Sequence, residues 1–536
     1  MTGRIGGQTP LGRGFTFTVY GVVLTLLAVP LLMVEIPPLY DYPNHLARMH
    51  ILAHYADSPE LQANYTIAWK LSPYLGMDLI VPPLARHMSI YTSGRLFLYL
   101  CLVQIVAGTA LVHAALYRRF SPWPAASALF AYSLILSLGF VNYLFAIGVW
   151  LFAFGGWILL SRRGGVARVA AGTILSFAVF FSHFFAFAGY MLCVGAYEFG
   201  VWWNDRAHAP GARPLAALFA RPFAALFARG FIAFLPFIPP LALMARIDHG
   251  QTGGVTWYGG PVTKLTALLS PIIFPSARFD LALLALLLVI PARRGVFGPV
   301  TLAPQMRMPL LVLGFAVLAM PNVLAGVWDM DCRLPLAFVF LAIAGFQWRA
   351  VPERAGKIAA CCLVALLTLN MALIVWAWQP IARQYDAFRA ALPAIPRGAR
   401  VIAFRDEDGI DKAQKPGPPI VYSHLPALAI IERDVFLPTL FKNPMMPVQA
   451  AAATREIDSA GGDPIELPEL LDGADPVKGP AHLGKFNTLG NRDYWGGWQT
   501  HFDDAIELSF GAHPALPPEL RRTVTGTFFN IYRIAP

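Results

Sequence analysis

Charged side chains are scarce in this 536-residue sequence, in which they make up 13% of the residues while hydrophobic residues make up 57%. Soluble domains usually carry about 25% charged residues. Too few polar side chains are present to cover a surface in water, so lipid must cover much of it. The shortage ends near residue 380, because 380–536 holds 16 Lys and Arg and 19 Asp and Glu. The sequence therefore predicts a membrane domain, 1–379, and a soluble domain, 380–536.

Acidic residues are especially few in the membrane domain, which has 12 of them beside 25 basic residues. The formal net charge of +10 thus belongs to the membrane part, and this placement argues against a nucleic-acid partner.

Cysteine is scarce as well. The five cysteines form neither a disulfide framework nor a Cys/His pattern typical of zinc sites.

Apolar runs long enough to cross a bilayer recur throughout the first domain. They lie near 15–34, 96–117, 124–137, 140–160, 167–185, 188–203, 230–246, 279–292, 308–326, 334–348 and 358–378. The first run is expected to stay attached, because its apolar core is long and no A-x-A-like cleavage site follows it. We predict a polytopic α-helical membrane protein with about eleven transmembrane helices.

The charges that flank these runs predict their orientation. With the N-terminus in the cytoplasm, cytoplasmic segments hold 17 of the 25 basic residues, and external segments hold nine of the 12 acidic residues. Cytoplasmic loops are normally enriched in Lys and Arg. An odd number of spans then places the C-terminal domain outside. Because usage of Ala, Gly, Pro and Arg is typical of bacteria, we expect a multi-pass protein of the bacterial inner membrane with a periplasmic C-terminal domain.

Three external segments are candidates for function. The first loop, 35–94, contains two amphipathic helices, near 43–55 and 77–88, which are expected to lie at the membrane interface. The others are 247–278 and 327–335. Connections between spans need only a few residues, so long ones usually serve a function.

The C-terminal domain combines strand and helix patterns. Strands are predicted near 400–404, 505–510 and 527–534, a helix near 385–392, and a loop over 461–480. This alternation indicates a small α/β domain. His424, Trp495, Trp498 and His501 are conspicuous there, with aromatic core packing the simplest explanation.

The most distinctive polar cluster follows the first span directly. Asp41 would lie at the membrane surface, where a lipid phosphate and a water-soluble acceptor can meet. Because Pro43 follows it, capping of the next helix is the simpler explanation. His45 and Arg48 lie three residues apart on one face of that helix, facing either headgroups or a cavity.

Arg333 begins a late helix, where a cation opposes the helix dipole and needs a partner or a function. An ion pair with Asp329 or Asp331 is one interpretation, and binding of a phosphate by the guanidinium is the other. Asp331 is also a candidate cap of that helix.

Three further residues are secondary candidates for substrate binding. His183 lies near the outer end of a span, where a satisfied core residue is the favoured interpretation. His249 and Lys264 belong to the second external segment.

The chain has no Walker A motif, so an ATP-driven pump is excluded. Charges inside the predicted spans are almost absent, which weighs against ion-coupled transport. The polar groups gather instead at one face of the membrane.

The whole arrangement resembles the GT-C class of polyprenyl-phosphate-dependent membrane glycosyltransferases. The resemblance rests on a first span, a long external loop that opens with Asp41, many further spans and an external α/β domain. Bacterial members also have an Arg-Leu-Pro-like element at the start of a late helix, matched here by Arg333-Leu334-Pro335. The first loop lacks their paired acidic motif, and the only Asp-x-Asp is Asp329-Met330-Asp331.

The resemblance implies transfer of a sugar from a polyprenyl-phosphate-linked donor to a glycan, lipid or protein acceptor. Asp41 would be the catalytic base, and inversion at the sugar would follow from the class. Arg333 would bind the phosphate. The resemblance assigns no definite cofactor, and it is compatible with a divalent metal ion, since members differ in metal dependence. Two alternatives stay open: a transporter or flippase for a lipid-linked glycan, and a non-catalytic scaffold of a polysaccharide assembly machine.

Overall fold

The computed structural model describes residues 12–163, 165–207, 223–247, 254–274, 300–348, 352–406, 419–459, 462–473, 494–509 and 516–535. The predicted span 279–292 and the candidate residue His249 lie outside these ranges.

Helices dominate the first three quarters of the described chain. In order, the α-helices are Arg13–Met33 (α1), Tyr42–His54 (α2), Pro59–Asn64 (α3), Gly76–Ala85 (α4), Ile90–Tyr117 (α5), Leu134–Ser137 (α6), Val141–Leu159 (α7), Gly165–Ser182 (α8), Phe184–Ala207 (α9), Phe223–Phe234 (α10), Ile238–Met244 (α11), Pro261–Leu269 (α12), Arg307–Ala319 (α13), Arg333–Gly345 (α14), Glu353–Ala391 (α15), Leu428–Arg433 (α16), Leu467–Gly473 (α17) and Trp498–His501 (α18).

Six helices of the described residues are long and apolar enough to cross a membrane, namely α1, α5, α7, α8, α9 and α15. They coincide with six of the predicted spans, and shorter apolar helices occupy 229–244, 304–319 and 333–345. The polytopic membrane architecture is thus supported, whereas the expected total of about eleven spans is not confirmed.

The predicted span at 124–137 is wrong as a single helix. It forms a 3-10 helix, Trp123–Phe130, and then the one-turn helix α6. Ser127 Oγ donates to the carbonyl of Pro124 at 2.7 Å, a local bond that competes with regular helical bonding. The break brings the carbonyls of Ser137 and Leu138 to the start of the first loop, where they accept from the N–H groups of Tyr40 and Asp41.

Close helix packing in the bundle depends on small residues. A Cβ added at Gly148 of α7 would lie 2.5 Å from Cβ of Gln104 on α5, and one at Gly108 of α5 would lie 2.7 Å from Cβ of Leu151. Lipid tails are as apolar as the side chains, so the hydrophobic effect does not drive helices together within a bilayer. Association depends instead on van der Waals contact between closely packed backbones.

Helices α2 and α4 confirm the two helices predicted in the first loop, but α2 does not lie at a lipid interface. Tyr42, Leu46 and Met49 are fully buried, as are most other residues of α2. The helix lies between the bundle and the C-terminal domain, which cover opposite faces of it. The weak amphipathic pattern of α2 reflects this two-sided burial.

Nine strands complete the described fold: Tyr65–Ile67 (β1), Val300–Leu302 (β2), Phe346–Trp348 (β3), Val401–Asp406 (β4), Val448–Ala450 (β5), Ile465–Glu466 (β6), Asp504–Ser509 (β7), Leu520–Thr525 (β8) and Phe529–Ile534 (β9). Five of them form the mixed sheet of the C-terminal domain in the order β6-β4-β7-β9-β8. The pairs β4–β6 and β4–β7 are parallel, and the pairs β7–β9 and β8–β9 are antiparallel. The three predicted strands are confirmed as β4, β7 and β9.

The helix predicted at 385–392 is the end of α15, which runs for 39 residues through Pro380. At 1.5 Å per residue this helix is about 58 Å long, roughly twice the thickness of a bilayer core of about 30 Å. Within 461–480, predicted as a loop, β6 and α17 occupy 465–473.

The first loop and the C-terminal domain share structure. Strand β1 pairs antiparallel with β5, so that Tyr65 lies opposite Ala450. Arg389 of α15 bonds to Glu35 of the first loop at 2.7 Å and to Glu432 of α16 at 2.9 Å. These contacts hold the C-terminal domain over the residues that follow the first span.

Candidate functional site

Asp41 occupies the N-cap position of α2, but its carboxylate makes no capping hydrogen bond. Backbone contacts fix it instead: the Asp41 N–H donates to the carbonyl of Leu138 at 3.2 Å. Gly139 has a φ of +76°, and a Cβ there would lie 2.6 Å from the Asp41 nitrogen. Only glycine suits that position. The carboxylate is therefore free of the capping role that sequence alone favoured.

His424 of the C-terminal domain covers the Asp41 carboxylate. Its Nε2 lies 3.5 Å from Asp41 Oδ1 and 3.7 Å from Asp463 Oδ1. The Tyr40 hydroxyl donates to Asp463 Oδ1 at 2.6 Å, and its ring lies 4.6 Å from the His424 ring. Two acidic groups and an imidazole thus converge where the first loop meets the C-terminal domain.

Asn44 sets the tautomer of His424. Its Oδ1 accepts from the Phe441 N–H at 2.7 Å, so its Nδ2 must point the other way, toward the carbonyl of Thr439 at 2.8 Å and His424 Nδ1 at 3.4 Å. An amide nitrogen can only donate, so Nδ1 is the acceptor nitrogen. The imidazole proton then lies on Nε2, directed at the two carboxylates.

Burial controls the protonation of this cluster. It raises the pKa of Asp41 well above its ordinary value, with a further increase from the charge of Asp463 and an opposing effect of Arg333. Burial lowers the pKa of His424 to about 4, so this imidazole is neutral at physiological pH. Burial also lowers the pKa of His45, whose Nδ1 has no hydrogen-bond partner among the described residues.

Arg333 supplies the positive charge near Asp41. Its guanidinium lies 4.4 Å from the ring centre of Phe140, and it donates to the carbonyls of Asp329 at 3.4 Å and Trp328 at 3.3 Å. In the described part of the chain, no carboxylate oxygen lies within 4.0 Å of it. Arg333 is thus a buried cation held by aromatic faces and carbonyls, with its charge uncompensated at close range.

The ion pair of Arg333 with Asp331, one of the interpretations that the sequence left open, is not formed. Asp331 is fully buried and pairs with Lys264 at 3.0 Å, while Asn322 Nδ2 donates to its Oδ1 at 3.0 Å. Lys264 also donates to the carbonyl of Met320. Asp331 does not cap α14 either, because Cys332 is the N-cap residue. Lys264 and Asp331 together brace the loop that presents Arg333.

Arg48 and His183 have local partners. Arg48 Nη2 lies 3.0 Å from Asp78 Oδ1 of α4, with both side chains almost fully buried. His183 lies between α8 and α9, where its Nδ1 accepts from the Phe185 N–H at 3.1 Å and its ring meets the edges of Tyr74 and Tyr143. These placements favour structural roles for both residues.

His424 is conspicuous in the sequence, but the sequence assigns it no role. Tyr40 and Asp463 were not among the predicted site residues. Tyr40 could have been found from its position beside Asp41. Asp463 gives no local signal, because it lies in a segment predicted as loop. Across the described ranges, no group of three His, Cys, Asp or Glu side chains is suited to hold a metal ion, so no metal ligands are assigned.

The fold and the site define a polytopic helical membrane protein in which the buried Asp41 lies beneath His424 of the C-terminal domain. No protein-family model matches the chain, and no curated protein matches it.

Proposed function

We propose that this chain is a glycosyltransferase of the GT-C type, which moves a sugar from a polyprenyl-phosphate donor to an acceptor hydroxyl. The observation that carries the proposal is the combination of a buried carboxylate of raised pKa, Asp41, with the nearby buried guanidinium of Arg333, which has no carboxylate oxygen of the described residues within 4.0 Å. Such an arrangement offers a base and an anion-binding group within one enclosed region.

The base is suited to the attacking hydroxyl. The acceptor oxygen forms a bond to the anomeric carbon while its proton passes to Asp41. A general base works best when its pKa approaches the working pH, and burial shifts Asp41 in that direction. Attack from the side opposite the leaving group gives an inverted product.

The guanidinium is suited to the leaving group. As the bond between the anomeric carbon and the phosphate oxygen breaks, its electron pair stays on the phosphate. A fixed guanidinium stabilises that developing charge without rearranging, since carbonyls and an aromatic face already hold it in place. Asp329 lies beside Arg333 and moderates the local charge.

The soluble domain takes part in this site through His424. Its Nε2–H faces Asp41 and Asp463, so it stabilises the ionised base and orients it. The side chain of Asp463 is 41% exposed, so an acceptor sugar or lipid headgroup would approach the cluster from this side. The acceptor class is a glycan, a lipid or a protein, and the site lies on the predicted periplasmic face.

The test uses the purified full chain in lipid nanodiscs with a panel of synthetic undecaprenyl-phosphate hexoses and pentoses. Release of undecaprenyl phosphate in the presence of a bacterial membrane extract is followed by mass spectrometry. Asp41→Asn should lower the rate by about 100-fold or more. Arg333→Gln should lower it by about 100-fold to 1,000-fold.

Asp57→Asn is the matched control, because Asp57 lies in the same loop but is exposed. It should retain the full rate. Native turnover by a well-folded Asp41→Asn variant would refute the proposal. In sealed proteoliposomes, movement of intact donor across the bilayer without phosphate release would identify a flippase instead.

A further inference from the structure

A cavity lies between α9 and α10, and none of the residues that line it belongs to the Asp41 cluster. It has a volume of about 480 Å³ and apolar walls that include Met191, Phe199, Phe234 and Phe237. Glu198, which also lines it, follows His183 by 15 residues, or about 22 Å along a helix. His183 contacts Tyr143, whose hydroxyl donates to the carbonyl of Arg333, so this separation places the cavity well away from the Arg333 end of α9.

One carboxylate oxygen of Glu198, on the wall of this cavity, accepts no hydrogen bond. Its Oε1 accepts from Trp157 Nε1 at 3.0 Å and from Arg168 Nη2 at 2.5 Å. Its Oε2 is buried and has no hydrogen bond, and the Arg229 Nε lies 3.6 Å away. A buried carboxylate oxygen without a donor is costly, and its position on a cavity wall indicates a ligand that donates.

Arg229 supplies a donor group at the mouth of the same cavity. Its side chain is 40% exposed, and its Nη1 pairs at 3.0 Å with Asp205, which is 67% exposed. Exposed ion pairs contribute little free energy. If the guanidinium turns toward a bound phosphate, it gives up this exposed pair and its 3.6 Å approach to Glu198 Oε2, which leaves that oxygen to a donor group of the ligand.

Net charge narrows the choice of ligand. Among the described side chains at this cavity, the charges of Arg168 and Arg229 balance those of Glu198 and Asp205. An anionic ligand would add a negative charge close to the unfilled Glu198 oxygen. A zwitterion that carries an ammonium and a phosphate two carbons apart would satisfy both Glu198 and Arg229 and keep the site neutral.

We propose that this cavity binds one phospholipid with a primary ammonium headgroup, of the phosphatidylethanolamine class. The ammonium donates to Glu198 Oε2, the phosphate accepts from Arg229, and an acyl chain packs against the phenylalanines. The volume suits a ligand of this kind, since small-molecule sites usually measure about 300 to 1,000 Å³. This inference does not depend on the proposed transferase activity.

The experiment is native mass spectrometry of the purified full chain after exchange into an equimolar mixture of three dioleoyl phospholipids. Phosphatidylethanolamine should be retained at least 10-fold over phosphatidylcholine, which has the same phosphate but no N–H, and over phosphatidylglycerol, which is anionic. Arg229→Gln should reduce this retention, and its partial exposure makes the substitution compatible with folding.

Two glycines permit a test that leaves the charges intact. Gly195 and Gly230 line the cavity, and a Cβ added at either would meet no atom within 4 Å. Gly195→Leu and Gly230→Leu should fill the space and lower phosphatidylethanolamine retention about 10-fold. Leucine is a better helix former than glycine, so the helices should persist.

Gly21→Leu is the matched control, because Gly21 of α1 also has open space around it but lies outside the cavity. It should bind phosphatidylethanolamine like the unmodified chain. Equal retention of phosphatidylcholine or phosphatidylglycerol would overturn the proposal. So would unchanged binding by both cavity-filling variants, or an equal loss in Gly21→Leu.

Discussion

At the scale of single residues, the burial of Asp41 suits the proposed chemistry but lowers the stability of the fold when the carboxyl group is ionised. Its pKa is raised in the folded chain, chiefly by burial. The folded state therefore binds a proton that the unfolded state releases above its ordinary pKa near 3.8. The free energy of unfolding therefore falls as the pH rises from about 3.8 through the raised pKa of the folded state. Above that raised pKa, the full cost of burying the charged carboxylate is present.

Asp41→Asn should accordingly raise the thermal stability of the protein while it abolishes transfer. Asparagine cannot ionise, so the melting temperature of the variant should exceed that of the unmodified chain by a margin that grows between pH 4 and neutrality. Differential scanning fluorimetry in one detergent across this range measures the margin. A variant that is less stable at every pH would show that the carboxylate is a structural group.

His424 should influence the pH profile of transfer without titrating itself above pH 6, because burial lowers its pKa to about 4. Its Nε2–H faces Asp41 and favours the ionised carboxylate. Replacement by phenylalanine removes this donor, so the pKa of Asp41 should rise further and the acidic limb of kcat/KM should move to higher pH.

His424→Gln, which keeps an N–H donor, should restore part of that limb. A uniform fall in kcat/KM at every pH, equal in both His424 variants, would contradict the role in orienting the base. His501 supplies a control, since it is an exposed histidine of the same domain; His501→Phe should leave the profile unchanged.

Only half of this cluster could be predicted from the sequence. Asp41 and Arg333 stand out because each lies beside a span end, where polar residues are few. The covering groups could not be found in this way, since Asn44 and His424 are separated by 380 residues and no local pattern links them. The partner of Asp331 was also missed, because spacing along the chain favoured Arg333 over Lys264.

At the scale of secondary structure, hydropathy located the long spans and failed where helices are short or broken. The segment 124–137 is apolar enough to span, yet its polar Ser127 and the turn before Leu134 divide it. This break matters for the site, because the carbonyl of Leu138, directly after α6, accepts the hydrogen bond from the Asp41 N–H. Hydropathy measures preference for lipid and does not detect such a bend.

The buried ion pair between α2 and α4 should matter to the fold more than to the chemistry. Arg48→Met would leave Asp78 buried and unpaired, at a cost of about 3–5 kcal/mol in the free energy of unfolding. The double variant with Asp78→Leu should recover most of that loss, since an apolar pair of similar volume can replace a buried ion pair.

Chemical unfolding monitored by tryptophan fluorescence compares the two variants with the unmodified chain. The double variant should also retain transfer activity within a few-fold. Loss of activity in a stable double variant would return Arg48 to the candidates for substrate binding.

At the scale of the whole molecule, the sidedness predicted from charge can be tested directly. Arg163 follows α7 and Arg521 lies on β8, and both residues are exposed. The natural cysteines exposed in the structure, Cys361 and Cys362, would first be replaced by alanine. Cysteines introduced at positions 163 and 521 then report on the two faces of the membrane.

A membrane-impermeant maleimide should label Arg521→Cys in intact spheroplasts, and Arg163→Cys only after permeabilisation. This result follows from a cytoplasmic N-terminus and an external C-terminal domain. Labelling in the reverse pattern would invert the topology and place the Asp41 site in the cytoplasm.

The pairing of β1 with β5, together with the covering of Asp41 by His424, has a consequence for the timing of synthesis. The first loop leaves the ribosome long before its partners exist. At about 5–20 residues per second, the 380 residues between Asn44 and His424 correspond to roughly 20–75 s. Throughout that interval the carboxylate has no cover and β1 has no partner strand. A chain truncated before His424 would therefore lack a complete Asp41 cluster, and the proposed activity would begin only when the C-terminal domain has folded over the first loop.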